Sequence, residues 1–271
     1  MKDILLLCRK HTSMIGTNIG MVIASVVICT AVCVSTRESA FECFEQSKVV
    51  LFAYVMAVLW TGFFNTLLVY NAHKTYTEAD FGNRHYAPIQ YLVAVVMIEA
   101  ILCAFESVIS SFVFYSFFRG EYHSLAIVTG SFIIDFILSV FFITFSSMCL
   151  GMLIGILFDY KHIAISIPFI LVIQLLFSGG IFDLPKGDVL NAIAKLCISR
   201  YGVGALGALL DMNSYPFSLS SVYPIQQPYY DIYEPSTGNV INCWIRMLLL
   251  GLQSLILSYI LLSHRAKKVS R

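Results

Sequence analysis

The sequence predicts an all-α integral membrane protein: six transmembrane helices, short re-entrant or in-plane helices and an extracellular loop before the last helix. Three observations predict it. Apolar residues arrive in six blocks, Met14–Val34, Val49–Tyr70, Ile89–Phe118, Ser124–Phe158, His162–Phe182 and Cys243–Leu262. Crossing about 30 Å of hydrocarbon as a helix takes roughly 20 residues, and every block is long enough. Composition agrees: 58% of the 271 residues are hydrophobic and 12% charged, against roughly 25% charged in soluble domains, and the mean hydropathy is +0.81. The blocks are apolar on all sides rather than alternating, which selects helices over a barrel. The spans, the outer loop 183–242 and short connections use up residues 1–271 as one transmembrane domain.

Each element has its own grounds. The first block exceeds the 7–15 apolar residues of a cleaved signal, so it reads as a retained helix. The second is followed by a mixed-charge inner connection, Asn71–Pro88, where Tyr76, Ala79 and Phe81 suggest a short in-plane turn punctuated by Gly82 and Pro88. The third carries Glu99 and Glu106 on one helical face, and the fourth carries Asp135 mid-way along its length. Intramembrane acids are costly and default to a functional or bundle-bridging role. The alternative for the two glutamates is that a long third span sets them near its two interfaces. For Asp135 the candidate partners are Glu106, Ser110 and Ser139. Gly151 and Gly155 form a small-residue pair suited to close packing within the subunit, and Asn18, Thr17 and Asn65 read as interhelical hydrogen-bonding groups. Pro168 should kink the fifth span. Beyond it, Leu184–Leu210 has interrupted helical periodicity (Leu190, Ile193, Ala194, Leu196, Cys197) and reads as short helices at the outer face. Asn213–Gly238, rich in Pro and Tyr, reads as an extracellular loop.

Charge placement orients the chain. With the N-terminus inside, inner segments hold ten Lys and Arg and outer segments six, while acids run nine outside to four inside. Both termini are therefore expected in the cytoplasm, with the basic tail His264–Arg271 as the strongest indicator. No N-x-S/T sequon occurs, which favours a bacterial plasma membrane. The eight cysteines form no metal-ligand spacing and read as small buried residues, with a bridge among Cys43, Cys197 and Cys243 as the weaker alternative. There is no phosphate loop, HExxH or GxSxG. The chain is thus not expected to be an enzyme, and energy for any transport must come from an ion gradient or a separate motor.

FSGGIFDLPKG at Phe177–Gly187, ISRYGVGALGAL at Ile198–Leu209 and QSKVVLFAYVMAVLWTGFFNTL at Gln46–Leu67 resemble the membrane domain of second-class ATP-binding-cassette exporters, the G-subfamily and bacterial polysaccharide and antibiotic exporters. The resemblance covers essentially the whole chain. It implies a permease subunit moving an apolar or amphipathic substrate out of the cytoplasm. A second permease copy, as homodimer or heterodimer, and a nucleotide-binding ATPase subunit would be its partners. ATP and Mg would be bound by that ATPase, leaving no cofactor in this chain, and no nucleic acid is expected. By resemblance Glu78, Phe81, Gly82 and Tyr86 form the ATPase-coupling loop. The family's adjacent Glu-Arg pair is absent, since Ala79 follows Glu78. Phe52, Trp60, Phe63, Phe64, Ile173, Leu176 and Phe177 are the substrate-cavity positions. An ion-coupled carrier or channel, or a non-transporting membrane scaffold, is the alternative. Internal repeat symmetry would favour the carrier, and spans one to three do not resemble four to six.

Overall fold

The computed structural model describes residues 15–82, 87–158, 160–180, 189–218 and 229–269. All regular elements among them are helical: α1 (Ile15–Thr36), α2 (Phe44–Gly82), α3 (Pro88–Phe118), α4 (Phe132–Leu157), α5 (Tyr160–Leu176), α6 (Val189–Ala194), α7 (Ile198–Leu209) and α8 (Thr237–Val269), with 3-10 turns at Arg37–Ser39, Met212–Ser214 and Asp231–Tyr233. The chain is an all-α membrane protein. Within the described residues α2, α3, α4 and α8 contain stretches long and apolar enough to cross a bilayer, and α1 and α5 contribute shorter apolar stretches at Gly20–Thr36 and Ile165–Leu176.

Local chemistry sets the helix ends. The hydroxyls of Ser35 and Thr36 donate to the Val32 carbonyl at 2.9 and 2.8 Å, satisfying an end-of-helix acceptor before the chain turns at Arg37. Pro88 opens α3, where a missing N–H costs nothing, and the Gln90 side chain accepts from the Ala87 N–H at 2.9 Å. The Ser236 hydroxyl accepts the Asn239 N–H at 3.2 Å at the start of α8.

The last helix, α8, is longer at both ends than the expected Cys243–Leu262, taking in Thr237–Asn242 of the expected outer loop, and three further boundaries differ from the sequence reading. First, α2 does not stop at Tyr70 for an in-plane turn but continues unbroken to Gly82; its 39 residues extend about 58 Å at 1.5 Å per residue, roughly twice the hydrocarbon thickness. Nothing between Asn71 and Gly82 breaks a helix: the stretch holds no proline, and its only glycine is the last helical residue. Second, α4 begins at Phe132 rather than Ser124, because the backbone of Ile127–Thr129 bonds to a side chain instead of to a helical turn. Third, α5 contains Pro168 within the helix and ends at Leu176, short of Phe182.

The bundle is organised around α2, which packs most extensively on α4; α4 in turn packs on α8 and α3. The α2–α4 contact depends on glycine. A Cβ on Gly62 would lie 2.6 Å from the Thr144 carbonyl oxygen, and one on Gly151 would collide with the Phe63 carbonyl. At the same seam the Ser147 hydroxyl donates to the Leu59 carbonyl and the Thr66 hydroxyl to the Met148 carbonyl at 2.7 Å. Lipid gives apolar helices no drive to associate, so close backbone approach and such hydrogen bonds hold the pair. Gly151 thus packs within the subunit, as its motif suggested. On the opposite face of α4 the Ser146 hydroxyl donates to the Met247 carbonyl at 2.7 Å, and the Trp244 indole donates to the Ser139 hydroxyl at 2.9 Å.

Gly151→Ala should therefore lower stability by about 1–3 kcal/mol through overpacking. Gly20→Ala, whose Cβ meets nothing within 4 Å, should leave it unchanged or raise it. Thermal unfolding of the two variants in detergent reads the difference; equal midpoints would remove the seam from its central role.

Candidate functional site

Two polar constellations sit inside the bundle, and the first is built on α3. Glu99, Cys103, Glu106 and Ser110 recur at four-, three- and four-residue intervals and so share one helical face. Glu99 and Glu106 are each 1% exposed. Together with Leu102, with Met21 and Val22 of α1 and with Asn65 of α2, they line one narrow cleft. The Asn65 amide nitrogen donates to both Glu106 carboxylate oxygens at 2.8 Å. Neighbouring helices therefore cover both glutamates, and Asn65 bridges helices as its polarity suggested.

The second constellation corrects the sequence reading of Asp135. It is not mid-span but in the first turn of α4, fully buried. Its Oδ2 accepts the N–H groups of Ile127 and Val128 at 2.9 and 2.8 Å, and its Oδ1 accepts that of Thr129 at 3.0 Å. Glu106 is not its partner. Ser139 is linked to Asp135 through the backbone, donating its hydroxyl to the Asp135 carbonyl at 2.8 Å. Asp135 is thus a clasp for the segment between α3 and α4. That segment is pinned again where Leu125 N–H donates to the Leu209 carbonyl at 2.9 Å and where the Thr237 hydroxyl donates to the Ile127 carbonyl at 3.1 Å. Nearby, the His123 N–H donates to the Tyr215 hydroxyl at 2.8 Å. Burial pushes the Tyr215 phenol up to about 12, so this junction keeps its proton through the physiological range.

The aromatic and apolar positions suspected of lining a cavity divide by burial. Phe63 is fully buried against Phe64, with ring centroids 5.7 Å apart, and Phe52 is buried where its ring lies 2.5 Å from the position a Cβ on Gly180 would take. Neither is open to a ligand within one chain. Trp60, Phe64 and Phe177 are half-buried, while Ile173 and Leu176 on α5 are exposed. The suspected coupling residues fall at the distal end of α2: the helix backbone includes Glu78, Phe81 and Gly82, their side chains lying outside the described residues, as does Tyr86 altogether.

The short-helix reading of Leu184–Leu210 holds for its described part, α6 and α7. Gln174 of α5 clamps α7: its side-chain oxygen accepts the Ser199 N–H at 3.1 Å and its carbonyl accepts the Ser199 hydroxyl. Gly202 and Gly207 let α7 approach Ile143 and Tyr233, where a Cβ would collide. Cys43, Cys197 and Cys243 are free thiols, so the bridge considered for the outer face is not formed. Among the described residues no group of three or more His, Cys, Asp or Glu is arranged to hold a metal.

The profile of the ABC-2 type transporter family matches residues 1–210. The chain belongs to that family. No curated protein matches it. As an ABC-2 chain it is a multi-pass membrane protein and a permease component of an ABC transporter, not the ATP-binding module. The matched stretch takes in α1 to α7 and therefore both polar constellations.

Sequence reasoning missed several residues that hold this ABC-2 bundle together: Gln174 with Ser199, Trp244 with Ser139, and the hydroxyls of Thr66, Ser146 and Ser147. Their signal is weak because Ser and Thr also bond within their own helix. The late start of α4 was more legible: Thr129-Gly130-Ser131 is a turn signal with Ser at the N-cap, and Gly130 adopts φ +78°.

Asn65→Leu should destabilise the protein by about 1–3 kcal/mol or more, because it strips Glu106 of its donor. The double variant Asn65→Leu/Glu106→Leu should recover much of that loss. Thermal unfolding of all three proteins decides it, and strictly additive losses would argue against the pair.

Asp135→Asn keeps one acceptor oxygen but turns an amide N–H toward backbone donors, so a loss of about 1–3 kcal/mol is expected with transport retained. Asp135→Leu should abolish accumulation of folded protein. If Asp135→Asn folds normally yet transports nothing, the clasp is also a functional acid.

Proposed function

We propose that this chain is a half-permease that pairs with a second copy and with a separate ATPase subunit to export an apolar or amphipathic substrate from the cytoplasm. The observation that carries the reading is the matched ABC-2 family in a chain without an ATP-binding motif. Family members work with an ATPase and usually as dimers. The asymmetric packing of α5 supports the pairing. One side of α5 is clamped through Gln174, whereas Ile165, Phe169, Val172, Ile173 and Leu176 are exposed along the other. A second copy related by a two-fold axis would cover that side. Trp60 and Phe64, half-buried on α2, would then border the space between copies together with Ile173, Leu176 and Phe177. Walls of this composition suit lipid-like, peptide or amphipathic cargo better than a sugar or an ion.

Coupling is assigned to the end of α2 and the segment after it. A helix longer than the bilayer is thick delivers Glu78, Phe81 and Gly82 beyond the membrane on one rigid lever, with Tyr86 in the following segment. Closure of the ATPase beneath would tilt that lever and open the cavity to the opposite side. We place this end, both termini and the basic last turn of α8, which holds Lys267 and Lys268, in the cytoplasm of a bacterial cell.

Two experiments test the reading. Replacing Glu78 and Tyr86 together with Ala should leave the chain folded but break the stimulation of ATPase activity by substrate; intact coupling would sink the docking assignment. A cysteine at Ile173 should cross-link to its counterpart in a second copy with a short bifunctional maleimide, whereas one at Leu252 of α8 should not. Cross-linking at Leu252 and none at Ile173 would move the dimer axis away from α5.

A further inference from the structure

The cleft between α1, α2 and α3 holds a buried acceptor with nothing to accept. Asn65 is 4% exposed and lines the cleft, and its Oδ1 is buried with no hydrogen-bond partner among the described residues. A primary amide has two N–H groups to donate and an oxygen to satisfy. Here the nitrogen meets both carboxyl oxygens of Glu106 at 2.8 Å, while the oxygen of the same amide meets no donor. Burying an acceptor without a partner is costly in an apolar surround.

Glu106 has the complementary difficulty. An ionised carboxylate removed from water needs a cation or several donors. Asp135 has three backbone N–H groups; Glu106, 1% exposed, has one neutral amide nitrogen. None of the residues lining the cleft, Met21, Val22, Asn65, Glu99, Leu102 and Glu106, is a cation. The titratable groups facing Glu106 are Cys29 of α1 and Glu99 and Cys103 of α3, with Cys149 of α4 beside Cys103, and α2 presents the neutral Asn65. None of these brings positive charge. Space limits what else could answer both needs, because the cleft does not admit a water molecule. A bridging water or a hydrated ion is therefore too large. A proton needs no room and is itself the donor that Asn65 lacks.

We propose that this cleft is a proton-binding site, in which Glu106 is a neutral carboxylic acid that donates its O–H to Asn65 Oδ1 and accepts from Asn65 Nδ2. The two polar atoms of an amide are spaced like those of a carboxyl. A turn of the Asn65 amide therefore sets its nitrogen against one carboxyl oxygen and its oxygen against the other. With the proton bound, all four atoms are satisfied, and α2 is joined to α3 by two hydrogen bonds and no buried charge. Without it, Oδ1 would oppose an anionic oxygen, so the pairing exists only in the protonated form. Apolar surroundings keep a carboxyl neutral in this way so that it can act as a donor. Met21 and Val22 line the same cleft, which places α1 over the pair. The inference does not rest on the transport reading.

The test is infrared spectroscopy of the full chain at neutral pH in dodecyl maltoside, a detergent without ester carbonyls that would overlap the signal. The unmodified protein should show the C=O stretch of a protonated carboxyl, above the amide I band and lowered in frequency by heavy water. Glu106→Gln should remove that component, and Glu99→Gln should leave it in place. The thermal midpoint of Glu106→Gln should stay unchanged, because a Gln amide offers Asn65 the same donor and acceptor as the neutral acid. Absence of protonated-carboxyl absorption from the unmodified protein would overturn the proposal whatever the variants do. So would a component that survives Glu106→Gln intact or vanishes only with Glu99→Gln. A Glu106→Gln chain that melts several degrees lower or fails to accumulate would also overturn it, since the amide would then not replace what Glu106 supplies.

Discussion

The close approach of α2 and α4 is the contact on which the other packing depends. Helices in hydrocarbon gain nothing from hiding apolar surface, since lipid tails are as apolar as leucine; they associate where small residues let backbones meet and where polar groups find partners. Gly62 and Gly151 supply the first condition, and Thr66 and Ser147 the second. Each such hydrogen bond contributes only about 0.6 kcal/mol on average, so the seam depends on geometry as much as on polarity. With α4 fixed on α2, its other faces present Ser139 and Ser146 to α8 and a thiol-lined patch at Cys149 to Cys103 of α3.

The same requirement, that buried polar groups be satisfied from within, explains the two acid constellations. Glu106 takes both hydrogen bonds from one asparagine on a neighbouring helix. Asp135 takes three from its own preceding loop. The first joins α2 to α3. The second stops α4 from starting early and holds residues 124–131 across the bundle end. A single carboxylate thus sets a helix boundary.

Helices of unequal embedding follow from this arrangement. The α2 stretch is 78% buried inside the chain, whereas that of α8 is 22% buried. The exposed side of α5 differs because Gln174 and Ser199 tie the helix down along one edge, which orients its apolar residues in a constant direction and makes that side suited to a partner.

The fold class was determined by sequence alone, because the length and uniform apolarity of the blocks are direct consequences of bilayer thickness and of backbone satisfaction in hydrocarbon. The short helices after α5 and the packing role of Gly151 were legible for similar local reasons. What tertiary structure decided was partnership. Periodicity placed Glu99 and Glu106 on one face, but only the meeting of α2 with α3 gave Glu106 its asparagine. Hydropathy counted Ser124–Thr129 into the fourth span, and only the return of the Asp135 carboxylate to Ile127, Val128 and Thr129 took it out. Phe52 and Phe63 looked as available to a ligand as Ile173 and Leu176; packing within the chain, against Gly180 for Phe52, buried the first pair and left the second exposed. Sequence records which groups need partners, and packing alone selects which partners they receive.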